Sequence, residues 1–180
     1  MNKKILLTQE QIQEKVKELA KSIDDFLIKN KRHKDDIPIF IAVLTGSIFF
    51  FSDLIKNIKS DIIVDYLKVS SYSGNNTTYN VKILKDIEID INDKIVFIIE
   101  DIVDTGLTLK KIIEFLKDRK PRILKVCSLL DKPSKRLVKV KIDYKGFEIP
   151  PEFVVGYGLD YNELYRNVNY IFIHTQNKTH

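Results

Sequence analysis

The chain of 180 residues has a single cysteine, three histidines and no apolar run near the ~18 residues of a membrane-spanning helix. Each scarcity excludes something. One thiol, Cys127 in an apolar stretch, forms no internal disulfide and no cysteine cluster for a metal, which suits a reducing compartment; a cytoplasmic protein is expected. His33, His174 and His180 are isolated in the sequence, and no role is assigned to them. The basic start Met1-Asn2-Lys3-Lys4 is followed only by Ile5-Leu6-Leu7 before polar residues return, too short a segment for a secretory signal. No internal repeat, low-complexity tract or linker divides the chain, so one domain over residues 1–180 is expected.

What is present reads as a soluble core with a basic surface. Hydrophobic residues make up 44% of the chain and charged residues 31%, with a net charge of +5. The lysines are scattered, with local knots at Lys29–Lys34 and Lys132–Lys141. Charge of this size does not by itself call for a nucleic-acid partner; a basic surface, or a cationic site for an anionic substrate, accounts for it.

Thr8-Gln9-Glu10-Gln11 has the pattern of a capping box, and Ile12, Val16, Leu19, Ile23, Phe26 and Leu27 continue it as the apolar face of a helix ending at Lys29–Lys34. Ile39–Leu44 reads as a buried strand, Thr45-Gly46-Ser47 as a tight turn, and Phe51, Leu54, Ile55 and Ile58 as one helix face. Ile62–Val69 closes a first β-α-β unit. Ser70–Asn80 is polar and reads as a long mobile loop. A second unit runs from the strand Ile95–Ile99, through a helix with Leu109, Ile112, Ile113 and Leu116, to the strand Ile123–Leu130. Nearly all-apolar strands in repeated β-α-β units imply an α/β fold: a mainly parallel central sheet flanked by helices on both faces. Residues 140–180 hold short strand-like pieces, Glu152–Val155 and Tyr170–Ile173, and read as an accessory lobe.

The chemistry concentrates where the second unit turns. The apolar run Val96-Phe97-Ile98-Ile99 breaks into Glu100, Asp101 and Asp104, followed at once by Thr105-Gly106-Leu107-Thr108. Packing alone does not end a buried strand in clustered acids, because charged groups require water, a partner or a metal. Gly106 can take a positive φ, and the amides around Asp104–Thr108 then face outward at a helix N-terminus, where partial positive charge favours a phosphate. Thr105 and Thr108 add hydroxyls. Asp104, at the mouth of this loop, is placed to act as a base on a bound group. In open α/β sheets ligands gather at the carboxyl ends of the strands, and Thr45-Gly46-Ser47, Glu100–Thr108 and Asp131-Lys132-Pro133 all fall there.

Ile98-Ile99-Glu100-Asp101-Ile102-Val103-Asp104-Thr105-Gly106-Leu107-Thr108 resembles the 5-phosphoribosyl 1-diphosphate (PRPP) motif of the type I phosphoribosyltransferases. Leu129-Leu130-Asp131-Lys132-Pro133, Phe153-Val154-Val155-Gly156-Tyr157-Gly158-Leu159-Asp160-Tyr161 and Tyr165-Arg166 are similar to the purine-binding segments of that family's 6-oxopurine branch. Ser71-Tyr72 resembles the start of its mobile active-site loop. The resemblance runs from about residue 10 to about 173. It implies a core over about 36–135 and a hood built from the N-terminal segment and about 140–180. It also implies transfer of the phosphoribosyl group from PRPP to N9 of hypoxanthine or guanine, giving IMP or GMP and diphosphate, with Mg2+ required and a homodimer or homotetramer expected.

Residue by residue, the resemblance implies that Glu100 and Asp101 hold ribose hydroxyls or magnesium, and that Asp104 is the acid/base at the purine. The stretch Asp104, Thr105, Gly106, Leu107 and Thr108 would bind the 5'-phosphate, and Thr45, Gly46 and Arg166 the diphosphate. Lys132 would donate to the 6-oxo oxygen, with Phe153 stacking on the base and Val154 offering backbone groups. Asp160 would lie at the base and hold a second magnesium. Two positions depart from the family. Thr45 stands where many relatives carry Lys or Arg, and Glu152 where some carry Lys. A xanthine-preferring enzyme, or a pyrimidine-operon RNA-binding regulator on the same fold, are the alternatives. The regulator usually lacks an acid at the position of Asp104, and Asp131-Lys132-Pro133 also argues against it.

Overall fold

The computed structural model of the chain describes residues 4–73 and 79–175. Along it run β1 (Lys4–Leu7), α1 (Gln9–Asn30), β2 (Ile39–Leu44), α2 (Ile48–Asn57), β3 (Ile63–Ser73) and β4 (Tyr79–Lys85). There follow β5 (Ile95–Val103), α3 (Leu107–Lys117), β6 (Ile123–Asp131), a 3-10 turn at Pro133–Lys135, β7 (Tyr144–Glu148), β8 (Val154–Val155) and β9 (Ile171–Ile173). A six-stranded sheet in the order β4-β3-β2-β5-β6-β7 forms the centre. Its strands are parallel except for β4, which runs antiparallel to β3.

Side chains alternate across this sheet and so fill two cores. Phe40, Ala42, Phe97 and Ile99 face α1 and α2, while Ile39, Ile41, Val96 and Ile98 face α3. Both faces are covered, which is why β2 and β5 read as unbroken apolar runs. The capping box of α1 forms as its sequence implies: Thr8 Oγ1 accepts from the Gln11 amide at 3.3 Å, and Gln11 Oε1 accepts from the Thr8 amide at 2.9 Å.

Three strands from the chain ends, in the order β1-β9-β8, make a second small sheet. Tyr144–Glu148, read from the sequence as part of the accessory lobe, is instead the edge strand of the large sheet, with Cys127 opposite Tyr144 and Leu130 opposite Phe147. Gly146 permits this, since a Cβ there would overlap the Leu129 carbonyl. The expected loop Ser70–Asn80 is also different. Ser71 and Tyr72 lie in β3, opposite Val81 and Asn80 of β4, so its arms are a two-stranded ribbon. The polar sequence hid a ladder whose backbone hydrogen bonds do not depend on apolar side chains. The part of that loop over 74–78 lies outside the described residues.

Candidate active site

β5 runs four residues beyond its expected end and carries Glu100 and Asp101 within the strand. Alternation breaks across this pair. Ile102 packs on the α1–α2 side with Ile99, and Val103 on the α3 side with Ile98. Adjacent acids that a regular strand would send to opposite faces therefore both line one cleft of about 270 Å³, with Asp104, Thr105, Gly106 and Thr108. The turn at its base has Gly106 at φ 83, a left-handed conformation that glycine adopts without penalty. Thr105 Oγ1 accepts from the Leu107 amide at 3.3 Å, and the Thr105 carbonyl accepts from the amides of Leu137 and Val138 at 2.9 and 3.3 Å. The loop is thus held by these bonds where it leads into α3.

A second, adjoining cleft of about 390 Å³ gathers Thr45 and Gly46, Lys68, Asp101 and Asp104, Lys132, Phe153 and Val154, and Asp160 and Arg166. Gly46 follows the cis peptide Leu44–Thr45, and a Cβ on it would collide with the Asp101 carboxylate. The Thr45–Gly46 backbone and an acid of β5 therefore touch only because residue 46 lacks a side chain.

Electrostatics in these clefts follow from burial. Glu100 is buried, and its Oε2 has no hydrogen-bond partner among the described residues. Burial, with the neighbouring Asp101 charge, pushes its carboxyl well above the usual range. Asp101 is raised to about 6, chiefly by burial, against the opposing pull of the Ile102 amide and Arg166. Its Oδ1 accepts from that amide at 2.9 Å. Lys132, 5% exposed, lies with Nζ 3.9 Å from Asp104 Oδ2. Burial pulls the Lys132 ammonium below its ordinary value, with Asp104 opposing, Lys135 adding and Glu152 opposing. Glu152, a departure from the family pattern, thus acts on the lysine expected to read the base. Arg166 bonds Asp160 Oδ1 and Glu163 Oε2, each at 2.9 Å, and donates from Nη1 to the Gly158 carbonyl at 2.8 Å. Its ion pair with Glu163 at i,i+3 and its place in the cleft are both present. Phe153 is 45% exposed at the mouth, its ring 6.0 Å from Tyr161 and 6.2 Å from His174.

Against known proteins, residues 3–162 match the phosphoribosyl transferase domain family. The chain belongs to that family. A hypoxanthine-guanine phosphoribosyltransferase of Bacillus subtilis is 45% identical over 170 residues, covering 93% of this chain and 91% of that protein. One from Staphylococcus aureus strain N315 is 46% identical, over 94% and 92%. The crystal structure of a Bacillus anthracis hypoxanthine-guanine phosphoribosyltransferase superposes with a TM-score of 0.88 at 44% identity, over 97% of this chain and all of that one. A Trypanosoma cruzi hypoxanthine phosphoribosyltransferase in a ternary substrate complex gives 0.89 at 37% identity, over 97% and 95%.

The expected site residues Thr45 and Gly46, and all those from Glu100 to Arg166 save Leu107, line one of the two clefts; Leu107 opens α3. Ser71 and Tyr72 lie in β3. Sequence reasoning missed Lys68, which enters the larger cleft from β3 opposite Leu44. Its signal was present: a lysine inside the otherwise apolar run Tyr66–Val69, one residue from the end of the expected strand. Lys68 brings a cation to the side of the loop where Thr45 brings none. His174, assigned no role, packs at 4.4 Å on Tyr161, and its amide donates to the Phe153 carbonyl at 2.8 Å.

Proposed function

We propose that the chain transfers the 5-phosphoribosyl group of PRPP to N9 of hypoxanthine or guanine, releasing diphosphate and IMP or GMP for purine salvage. The observation that carries this is the convergence of a phosphate-type turn, buried carboxylates and a buried lysine beside an exposed phenylalanine in adjoining clefts. The relatives' names point the same way.

In the reaction the purine N9–C1 bond forms, the C1–oxygen bond to diphosphate breaks, and positive charge grows on the ribose ring between the two. Asp104, with its side chain 48% exposed beside the cleft, exchanges the proton of the purine ring nitrogen. Amides and hydroxyls of Thr105–Thr108 bind the 5'-phosphate, and Glu100 and Asp101 face the ribose hydroxyls. The Lys132 ammonium donates to the 6-oxo oxygen; the 6-amino group of adenine offers it no acceptor. Phe153 stacks on the base. Thr45, Gly46, Arg166 and Lys68 hold the diphosphate, and the guanidinium fork gives Arg166 paired donors.

The donor set suits magnesium. Glu100 Oε2 is buried without a partner among the described residues, and Asp101 and Asp160 line the adjoining cleft. A hard cation of this kind is bound by one or two carboxylates together with substrate oxygens. Bound there, magnesium would neutralise the departing diphosphate. Glu100 and Asp101 would hold one ion and Asp160 a second.

The reading includes the cytoplasm as location, supported by the buried, unpaired Cys127. Among the described residues no helix is long and apolar enough to cross a membrane. It also includes a homodimer or homotetramer, supported by Ile48, Phe49, Val64 and Tyr66, large apolar side chains exposed on α2 and β3. Residues 1–180 would act as one domain with a hood over the cleft, supported by the small sheet of the chain ends that carries Val154.

The deciding experiment supplies PRPP and magnesium with hypoxanthine, guanine, xanthine, adenine or uracil in parallel and follows diphosphate release. Turnover on hypoxanthine or guanine that stops with EDTA is expected. Preference for xanthine would move the substrate assignment, and silence on every purine would remove the enzyme reading.

A further inference from the structure

Beneath the diphosphate loop, α2 meets the turn after β8 through a polar contact that the transfer chemistry does not use. The Tyr157 hydroxyl donates to Asp53 Oδ2 at 2.7 Å, and the Gln13 side-chain amide donates to the same oxygen at 2.6 Å. Lys56 Nζ lies 3.8 Å from Asp53 Oδ1. Three segments that are distant in sequence thus close on one carboxylate.

The turn itself is unusual. Gly156, Tyr157 and Gly158 have φ of 104, 51 and 100, three left-handed residues in succession. For the two glycines this is free of penalty, but the tyrosine Cβ is crowded by the following carbonyl. Surrounding contacts must therefore hold Tyr157 in place. Its amide donates to the Val168 carbonyl at 2.6 Å, its ring lies 6.3 Å from Phe49, and its hydroxyl reaches Asp53. Burial, then the bond to Asp53, pushes the phenol far above its ordinary value, so the hydroxyl remains a donor.

What this turn carries is the next residue. Gly158 presses on the diphosphate loop so closely that a Cβ there would overlap the Gly46 carbonyl. The Gly158 carbonyl in turn accepts from Arg166 Nη1. A continuous path therefore leads from α2, through Asp53, Tyr157 and Gly158, to both Gly46 and the Arg166 guanidinium.

We propose that the Asp53–Tyr157 hydrogen bond, braced by Gln13, is a positioning contact that fixes Arg166 relative to the Thr45–Gly46 loop and so sets affinity for the diphosphate end of the substrate. Asp53 and Tyr157 line neither cleft and touch no reacting group; they are positioning residues. The inference rests on the phosphoribosyl-transfer reading, which assigns Arg166 and this loop to diphosphate.

Tyr157→Phe removes only the hydroxyl and keeps the ring against Phe49. It is expected to raise the KM for PRPP about fivefold to tenfold, the effect of one buried hydrogen bond, and to weaken product inhibition by inorganic diphosphate equally. The KM for the purine and kcat should stay within about twofold, because the purine wall and Asp104 are not on this path. Asp53→Asn keeps an acceptor oxygen and should stay near wild type. Asp53→Leu should reproduce Tyr157→Phe, and the double variant should be no worse than either single change. Unmoved PRPP KM and diphosphate inhibition in Tyr157→Phe would overturn the proposal. So would equal losses for PRPP and purine that track a fall in Tm, since a general scaffold role predicts those. If Asp53→Leu fails to fold, Tyr157→Phe against Asp53→Asn still decides. Wild-type protein inert on every purine would refute the transfer reading instead, so the two failures are distinct.

Discussion

Asp104 and Lys132 are 3.9 Å apart, yet their environments differ sharply: the acid is half exposed and the ammonium almost wholly buried. That contrast separates their roles and gives opposite kinetic signatures. Asp104→Asn should lower kcat by about 10²-fold or more, with a small change in PRPP binding; near-wild-type turnover in a single-turnover assay would remove Asp104 from proton transfer. Lys132→Ala should raise the purine KM far more than the PRPP KM, and equal effects would mean that Lys132 does not read the base. Lys68→Ala is expected to do the reverse, weakening PRPP and sparing the purine, because Lys68 enters the cleft from the Thr45–Gly46 side. Initial-rate measurements with each substrate varied in turn compare the last two directly. Among these residues, Asp104 and Lys132 were legible because an acid and a lysine end apolar strands where such groups have no packing reason to be. Lys68 was overlooked because a single lysine in a strand is ordinary until the strand's neighbours are known.

Elements whose signal is local were read closely. β2 emerged with its expected bounds, and α1 begins at the capping box written in Thr8-Gln9-Glu10-Gln11. Thr8→Ala should cost about 1 kcal/mol, since the hydroxyl satisfies an otherwise open amide of the first turn. For a chain of this size that is a fall in Tm of about 2–4 °C, checked by thermal unfolding. Elements defined by a partner were missed or misplaced. β7 has a polar, glycine-containing sequence and exists because β6 offers it an edge; β4 and the end of β3 stabilise each other across a polar stretch. The extension of β5 through Glu100 and Asp101 is of the same kind, because pairing with Ser128, Leu130 and Asp131 of β6 keeps the acids in the strand.

Across the whole molecule, distant segments are joined by buried polar contacts as well as by the two cores. Asp36, in the connection after α1, bonds the Arg122 guanidinium just before β6 and accepts from the Arg32 amide at 3.0 Å. Burial raises this carboxyl, but the Arg32 amide and the Arg122 and Arg32 charges outweigh it and hold it below its ordinary value. A carboxyl held low in the folded state adds stability that is fully present above the unfolded value of about 3.9 and is lost as pH falls through the folded value. Urea unfolding between neutral pH and pH 3 should therefore show Asp36→Asn less stable than wild type at neutral pH. Its loss of stability below about pH 4 should also be shallower. Parallel curves would take Asp36 out of the acid response.

The sequence by itself determined the α/β class, the two β-α-β units and the acid-rich turn that places the chain among the phosphoribosyltransferases. All of these depend on periodicity or on residues adjacent in the chain. Only the tertiary structure decided that β1 pairs with β9 in a separate sheet, that Tyr144–Glu148 belongs to the large one, and that Gly158 rests on Gly46. Those contacts join residues far apart in the chain, and which partners meet is set by how packed elements share space, a quantity that no local pattern encodes.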